Sequence, residues 1–342
     1  MEQKGGLRGK RTSITDVAAA AGVSTQTVSR VANGFTGVLP ATRERVLGTM
    51  RALGYRPNSA ARALRHGQFK TIGVILFRLS ATGKSETVEA ITAQAASEGY
   101  TITLIPVDVP TQHNVLGAFS RMSELAVDAV IVFIESDLPD ASIVELPPDV
   151  YVVVVDSDAG DRYRTIDSDQ DGGTRSAVAH LLELGHRTVW HVTGPEASFA
   201  SRRRTRSWRL ALESAGRPVP PPVTGDWSAA SGHAAGLVLA ENPDCTAVFA
   251  ANDQMALGLL RAFQERGRPV PGEISVVGFD DIPGAAYFAP PLTTVRQDFA
   301  EVGRRSARAV LRQIRADAAA PPGTDIVPTR LVVRNSTAAP PA

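Results

Sequence analysis

Residues 12–34 read TSITDVAAAAGVSTQTVSRVANG, and this stretch decides how the rest of the chain is read. Ser13-Ile14-Thr15-Asp16 fits S-x-x-D, in which a hydroxyl and a carboxylate three residues on cap the start of a helix reciprocally. Val17 and the alanines carry that helix to Gly22, which supplies a tight turn, and Val23 is the apolar turn residue. Ser24 caps a second helix over residues 25–32, ended by Asn33-Gly34. A short helix, a glycine turn and a second capped helix form the helix-turn-helix pattern. Thr25, Gln26, Ser29 and Arg30 put polar groups on the second helix, while Val28 and Val31 fall on another face. Glutamine pairs with adenine N6/N7 and arginine with guanine O6/N7 in the major groove, each good bidentate contact giving roughly 1–3 kcal/mol of discrimination. Taken alone, the segment also fits an ordinary amphipathic surface helix.

Working outward, a third helix is expected over residues 40–53, with Pro40 in its first turn. Thr42, Arg43 and Arg45 on it suit phosphates. Gly54-Tyr55-Arg56-Pro57 breaks it, and residues 58–65 (NSAARALR) are a short helix-capable stretch before the pattern changes at Thr71. Charge sets this block apart. Residues 1–70 carry a net +9 and the remainder a net −8, although the 342-residue chain sums to only +1. A small basic block on an acidic body suggests contact with a polyanion.

From Thr71 onward, apolar runs alternate with longer helical segments. Strands are expected at 71–77, 101–106, 129–133, 150–155, 188–192, 247–250, 274–279 and 293–295. Helical stretches fall at 86–99, 172–185, 203–216, 229–241 and 253–267. Such alternation predicts parallel sheets covered on both faces, and this length splits into two lobes. Ligands in these folds bind at the carboxyl ends of strands. Asp156, Asn252-Asp253, Asp280-Asp281 and Gln297 follow strands, and Trp227 sits in GDWS. Carboxylates, amides and an aromatic face are the groups that grip a sugar, though each fits a helix cap or loop end equally. Arg202, Arg203, Arg204 and Arg206 read as a solvated basic face unless helical phase turns one inward.

Here a resemblance becomes specific. TDVAAAAGVSTQTVSRVANG, TRERV and LGYRPNSAARAL, then LLELGHR, GDWSAASG, ANDQMALG, ISVVGFDD and PPLTTVRQDF, closely resemble the lactose-repressor (LacI/GalR) family over about 330 residues. The resemblance implies a three-helix DNA-binding domain over 1–57, a hinge helix and linker over 58–70, an effector-binding and dimerisation domain over 71–334, and a tail over 335–342. The fold implied is α/β: a helix-turn-helix domain and hinge followed by two doubly wound, periplasmic-binding-protein-like subdomains. DNA contacts would come from Thr15, Ser24, Thr25, Gln26, Thr27, Ser29, Arg30, Asn33 and Thr42. Asn58, Ala61 and Leu64 of the hinge would join them, with Leu64 wedged into the minor groove. The effector would meet Phe77, Ala81, Gly83, Asp156, Arg204, Trp227, Asn252, Asp253, Asp280, Gln297 and Phe299.

Two positions depart from the family. Leu39 stands where a serine usually caps the third helix, and RLSATGKSE (78–86) replaces the apolar wall of galactoside sites. No heptad tail follows Arg334, so a homodimer is expected rather than a tetramer. The function implied is a transcriptional repressor acting on a palindromic double-stranded operator under a small sugar, a galactoside or another mono- or disaccharide.

A solute-binding transport component is the first alternative. It would need export, and MEQKGGLRGKRTS has no apolar signal core. A carbohydrate-active enzyme using Asp156 and Asp280 is the second, but no nucleophile or metal motif accompanies that pair, and His186 and His191 lack metal-ligand spacing. No cofactor, metal or catalytic residue is expected. With one cysteine, Cys245, and no long apolar run, the chain is expected in the cytoplasm, without a membrane partner.

Overall fold

The computed structural model describes residues 12–32, 35–55, 68–77, 82–138, 145–148 and 150–341. They divide into two compact units, residues 1–69 and 70–342.

The first unit holds three helices: α1 (Ile14–Ala21), α2 (Thr25–Ala32) and α3 (Pro40–Ala52). The capping box forms as its residues dictate. Ser13 N and Oγ each donate to Asp16 Oδ2 at 2.8 Å, and Asp16 N donates back to Ser13 Oγ at 3.3 Å. Gly22 ends α1 with φ +66°, a left-handed turn that glycine takes without a Cβ penalty. Ser24 Oγ accepts from Thr27 N at 3.1 Å to start α2. Val17, Ala18 and Ala21 of α1, Val28 and Val31 of α2, and Val46 and Met50 of α3 make one small core. Leu39 precedes α3 with no side-chain capping bond and is 76% exposed, so α3 begins with its amides uncapped by a side chain.

In the second unit the first lobe runs β1 (Thr71–Phe77), α4 (Lys84–Ser97), β2 (Thr101–Val107), α5 (Gln112–Glu124), β3 (Ala129–Phe133), β4 (Tyr151–Val155) and β5 (Arg164–Ser168). The chain then builds the second lobe: α6 (Gln170–Glu183), β6 (Trp190–Thr193), α7 (Phe199–Ser214), β7 (Val223–Thr224), α8 (Ala229–Ala240), β8 (Ala247–Ala250), α9 (Asp253–Glu265), β9 (Ser275–Asp280) and β10 (Thr293–Arg296). It returns to the first lobe for α10 (Phe299–Ala316) and β11 (Gly323–Val327), and ends in the second with β12 (Arg330–Val332). The sheet orders are β11-β5-β4-β3-β1-β2 and β12-β10-β9-β8-β6-β7, parallel throughout except for β12 against β10. The lobes are therefore joined by three crossings, after β5, β10 and β11.

Strand alternation explains why both faces of each sheet are apolar. Ile72, Val74 and Leu76 of β1 join Ala129, Ile131 and Phe133 of β3 under α4 and α10. Ile75 and Phe77 join Val130 and Val132 on the other face, against α5. The second sheet is covered in the same way, by Val248, Met255, Leu259 and Phe263 on one side and Trp208, Leu212, Phe249 and Phe279 on the other.

The sequence reading falls short in places. It passes over β5, β7, β11 and β12, all short and several polar, and does not single out α5 or α10. Residues 335–338, expected to begin a tail, are bound into the second lobe. Ser336 is fully buried, exchanges bonds with Val276 at 2.6 and 2.8 Å, and Ala338 O accepts from Ser275 Oγ at 3.0 Å. Among the described residues no helix is long and apolar enough to cross a membrane.

Candidate functional site

Two sites emerge, one in each unit. In the first, Thr15, Ser24, Thr25, Gln26 and Arg30 are exposed, while Thr27, Ser29 and Thr42 are half-buried. Burying Val28 and Val31 against α1 and α3 leaves the Gln26–Arg30 face outward. The Arg30 guanidinium lies 5.5 Å from the centre of the Phe35 ring, and Arg43 donates to Phe35 O, which ties the turn after α2 to α3. Asn33 and the hinge positions Asn58, Ala61 and Leu64 lie outside the described residues, as does Ala81 of the first lobe.

In the second unit a cavity of about 770 Å³ opens between the lobes. Phe77, Asp156, Arg204, Trp227, Asn252, Asp280, Gln297 and Phe299 all line it. They come from the ends of β1, β4, β9 and β10, from the turns before α8 and α9, and from α7 and α10. That is the carboxyl-end placement parallel sheets favour. Gly83 stands just behind, at φ +76° with the Phe299 ring where its Cβ would be, so only glycine fits there.

Arg204 is the centre of the second-lobe wall. Its run of arginines reads as a solvated face unless helical phase turns one inward, and α7 does turn Arg204 inward, leaving it 4% exposed. Its Nε donates to Gln170 Oε1 at 2.8 Å and a second nitrogen donates to Ala251 O. The guanidinium stacks 3.8 Å from the centre of the Phe279 ring and stands 3.9 Å from Asp280. Burial, only partly offset by the charge of Asp280, lowers its pKa from the ordinary arginine value. Asp280 is held up at about 6, first by burial and against the pull of Arg204. It accepts from Gln297 Nε2 at 2.7 Å, and Gln170 Nε2 reaches Gln297 Oε1 at 3.3 Å. Asn252 caps α9 through Met255 N at 2.9 Å and donates to Trp227 O at 3.0 Å, so one amide both starts a helix and fixes the loop that carries the indole.

Backbone strain concentrates here. Of seven non-glycine residues with positive φ among the described residues, Asp156 (+57°), Trp227 (+75°) and Asp280 (+116°) line the cavity. L-residues avoid these conformations, and a bulky tryptophan does so most of all. Trp227 also packs where a Cβ on Gly194 would stand, so the ring sits directly on the end of β6.

Asp253 differs from expectation. It is fully buried within the second lobe and absent from the cavity wall. Its carboxylate accepts from Thr294 Oγ1 at 2.5 Å and from Ile282 N at 2.9 Å, joining β9 and β10. Burial, with Asp280 nearby, raises its pKa to about 8.

Sequence reasoning missed Asp167, Gln170, Lys84 and Glu135, all in the wall. Asp167, next to last in the polar strand β5, pairs with Arg203 and is raised to about 7 by burial and by Asp156. Gln170 begins α6. Asp167 and Gln170 flank the first crossing and Gln297 lies on the second, so the cavity floor lies where the chain passes between the lobes. The run TIDSDQDGG carries no apolar signal, and only the pairing of β5 with β4 and β11 reveals it.

Comparison with known proteins follows this geometry. Residues 13–58 match the model of bacterial regulatory proteins of the lacI family, and residues 178–337 match a periplasmic binding protein-like domain. The lactose operon repressor of Escherichia coli (strain K12) is 35% identical over 336 residues, 97% of this chain and 92% of that protein.

The chain belongs to the LacI family.

It is a DNA-binding regulator of that family, and relatives of this kind are transcriptional regulators rather than enzymes. The Lac repressor dimer solved on operator with the anti-inducer ONPF superposes with a TM-score of 0.88 at 34% identity, covering 96% of this chain and 100% of that one. The transcriptional regulator CelR in complex with cellobiose gives 0.70 at 32% identity, covering 95% and 100%.

Proposed function

We propose that this LacI-family protein is a cytoplasmic repressor that reads a palindromic operator as a homodimer and responds to a small sugar bound between its lobes. Residues 1–57 serve as the DNA-binding domain, 58–70 as the hinge and 71–334 as the effector-binding and dimerisation domain. Thr25, Gln26 and Arg30 read bases, with Thr15, Ser24, Thr27, Ser29 and Thr42 on the backbone around them. Asn33, Asn58, Ala61 and Leu64 complete the contact set, Leu64 acting as a minor-groove wedge that kinks the operator centre.

The observation that carries the sugar reading is the chemistry of the cavity wall. Asp156 and Asp280 accept hydroxyl hydrogens, Arg204 and Asn252 supply donors, and the indole of Trp227 offers a flat apolar face to a pyranose ring. Phe77 and Phe299 line the first-lobe side with Gly83 behind them, and Ala81 is a further effector contact in this proposal. Among relatives, one was solved with operator and ONPF and another with cellobiose. A galactoside or another mono- or disaccharide is the effector class proposed, and its binding between the lobes is proposed to weaken operator affinity.

A thermal-shift screen of the full chain over mono- and disaccharides tests this, because a ligand that binds only the native state raises its melting temperature. At least one sugar is expected to do so. A flat response across the whole set contradicts the reading.

A further inference from the structure

The two walls of the cavity differ. The second-lobe wall presents Arg204, Asn252, Asp280 and Trp227, which with Asp156 across from them are the groups already given to a sugar. The first-lobe wall carries a buried ion cluster instead. Lys84 is 3% exposed, and its ammonium lies 2.8 Å from Glu135 Oε2, 3.2 Å from Asp156 Oδ2 and 4.2 Å from the centre of the Phe133 ring.

Helix geometry does not call for this lysine. Lys84 is the first residue of α4, where the macrodipole is positive and a cation is unfavourable. Burial also disfavours its charge, yet Glu135 and Asp156 outweigh that penalty and raise its pKa. The carboxylates themselves are only partly covered, with side-chain exposures of 27% and 34%, and both face the cavity. Lys84 engages Oε2 of Glu135 and Oδ2 of Asp156, which leaves the second oxygen of each cavity-lining carboxylate outside those ion pairs.

We propose that Lys84, Glu135 and Asp156 form a polar subsite that selects an effector bearing hydroxyl groups at its first-lobe end, namely a neutral disaccharide rather than a sugar with an alkyl aglycone.

This rests on the sugar reading above and adds which end of the ligand the first lobe recognises. A pyranose on Trp227 occupies only part of a 770 Å³ space, which lies toward the upper end of small-molecule sites. An alkyl group entering the remainder would strip water from two carboxylates and give nothing back. A second ring donates its hydroxyl hydrogens to Glu135 Oε1 and Asp156 Oδ1. Lys84 aims both acceptors and neutralises one of their charges.

The test is isothermal titration of the full-length protein with cellobiose, lactose, methyl β-D-glucopyranoside and methyl β-D-galactopyranoside. Each disaccharide is matched to the methyl glycoside of its non-reducing ring. The better disaccharide is expected to bind about tenfold more tightly than its methyl partner, the equivalent of one well-made hydrogen bond. Lys84→Met and the near-isosteric Glu135→Gln should each reduce that ratio by about fivefold or more. Glu135→Gln decides the matter if Lys84→Met fails to fold. Methyl glycosides binding as well as the disaccharides, or a ratio unchanged in the variants, would overturn the subsite and leave the sugar reading standing. Binding of none of the four overturns the subsite too, and the wider sugar screen then judges the function separately.

Discussion

The helix-turn-helix and the inter-lobe cavity assemble their functional groups in opposite ways. In the first unit one helix and its cap supply six of the eight described candidates, and the core residues Val28 and Val31 alternate with the exposed Gln26 and Arg30 along the same eight-residue helix. In the second unit the groups arrive from four strand ends, two helices and two turns, and each is held by neighbours remote in sequence. Arg204 leans on Gln170, Ala251, Phe279 and Asp280. A surface that reads DNA can be local because its partner brings the other half. A cavity must supply both halves, so its parts have to be gathered and buried.

The largest effect should come from the most gathered residue. Arg204→Ala leaves Asp280 and Gln170 without their cationic partner in a buried site, where breaking such a pair costs about 3–5 kcal/mol. Sugar affinity, read by calorimetry, should fall by about a hundredfold or more. Operator binding by gel shift should persist. Loss of both would show that Arg204 holds the fold, and the contrast between the two sites would break.

Gln26→Ala and Arg30→Ala should act in the reverse sense. Each should remove a proposed base contact worth roughly 1–3 kcal/mol and relax preference at one operator position, with sugar affinity unchanged. A variant that weakens binding equally on every sequence would place that side chain on phosphate instead.

A smaller effect belongs to pH. Asp167 and Asp253 hold their protons up to about 7 and about 8, against 3.8 ordinarily, chiefly because burial disfavours the charged form. The native state thus binds more protons than the unfolded one across that interval. The stability these groups contribute is complete below pH 3.8 and is lost as pH rises through 7 and 8. His191, lowered to about 4 by burial, works the other way, but its contribution is complete once pH passes 6.5. The melting temperature should therefore decline from pH 6.5 to 8.5, less steeply in Asp253→Asn. A flat profile would mean that the buried carboxylates ionise without penalty.

The smallest effect tests the first unit alone. Leu39→Ser supplies the missing cap of α3 and should stabilise the helical unit by about 1 kcal/mol in denaturant melts. No gain would mean that water already satisfies those amides.

The same contrast explains what could be read beforehand. The capping box, the glycine turn and α2 are local, and the sequence pattern states them outright. Strands β1, β3 and β8 were legible with their ends, since central parallel strands are continuous apolar runs. Strands β7, β11 and β12 are short edge strands with a single neighbour, and β5 is polar. Their existence depends on what they pair with. The crossings were invisible for the same reason, and with them went Asp167 and Gln170 on the cavity floor. Asp253 was misread because DQMALG places a carboxylate beside the site without fixing its direction, and Thr294 with Ile282 N turns it into the lobe. Lys84 carried a visible signal, a charge in RLSATGKSE, but only the geometry of Glu135 and Asp156 gives that charge a role.

The central claim is that sugar and operator prefer different states of one protein. Linkage then requires each to weaken the other by the same factor. The direct measurement is the operator dissociation constant with and without saturating sugar, paired with the sugar dissociation constant with and without operator, on a duplex selected from random sequence by the protein itself. The account predicts equal factors, both above one and both absent in Arg204→Ala. An operator affinity indifferent to a sugar that demonstrably fills the cavity would contradict it.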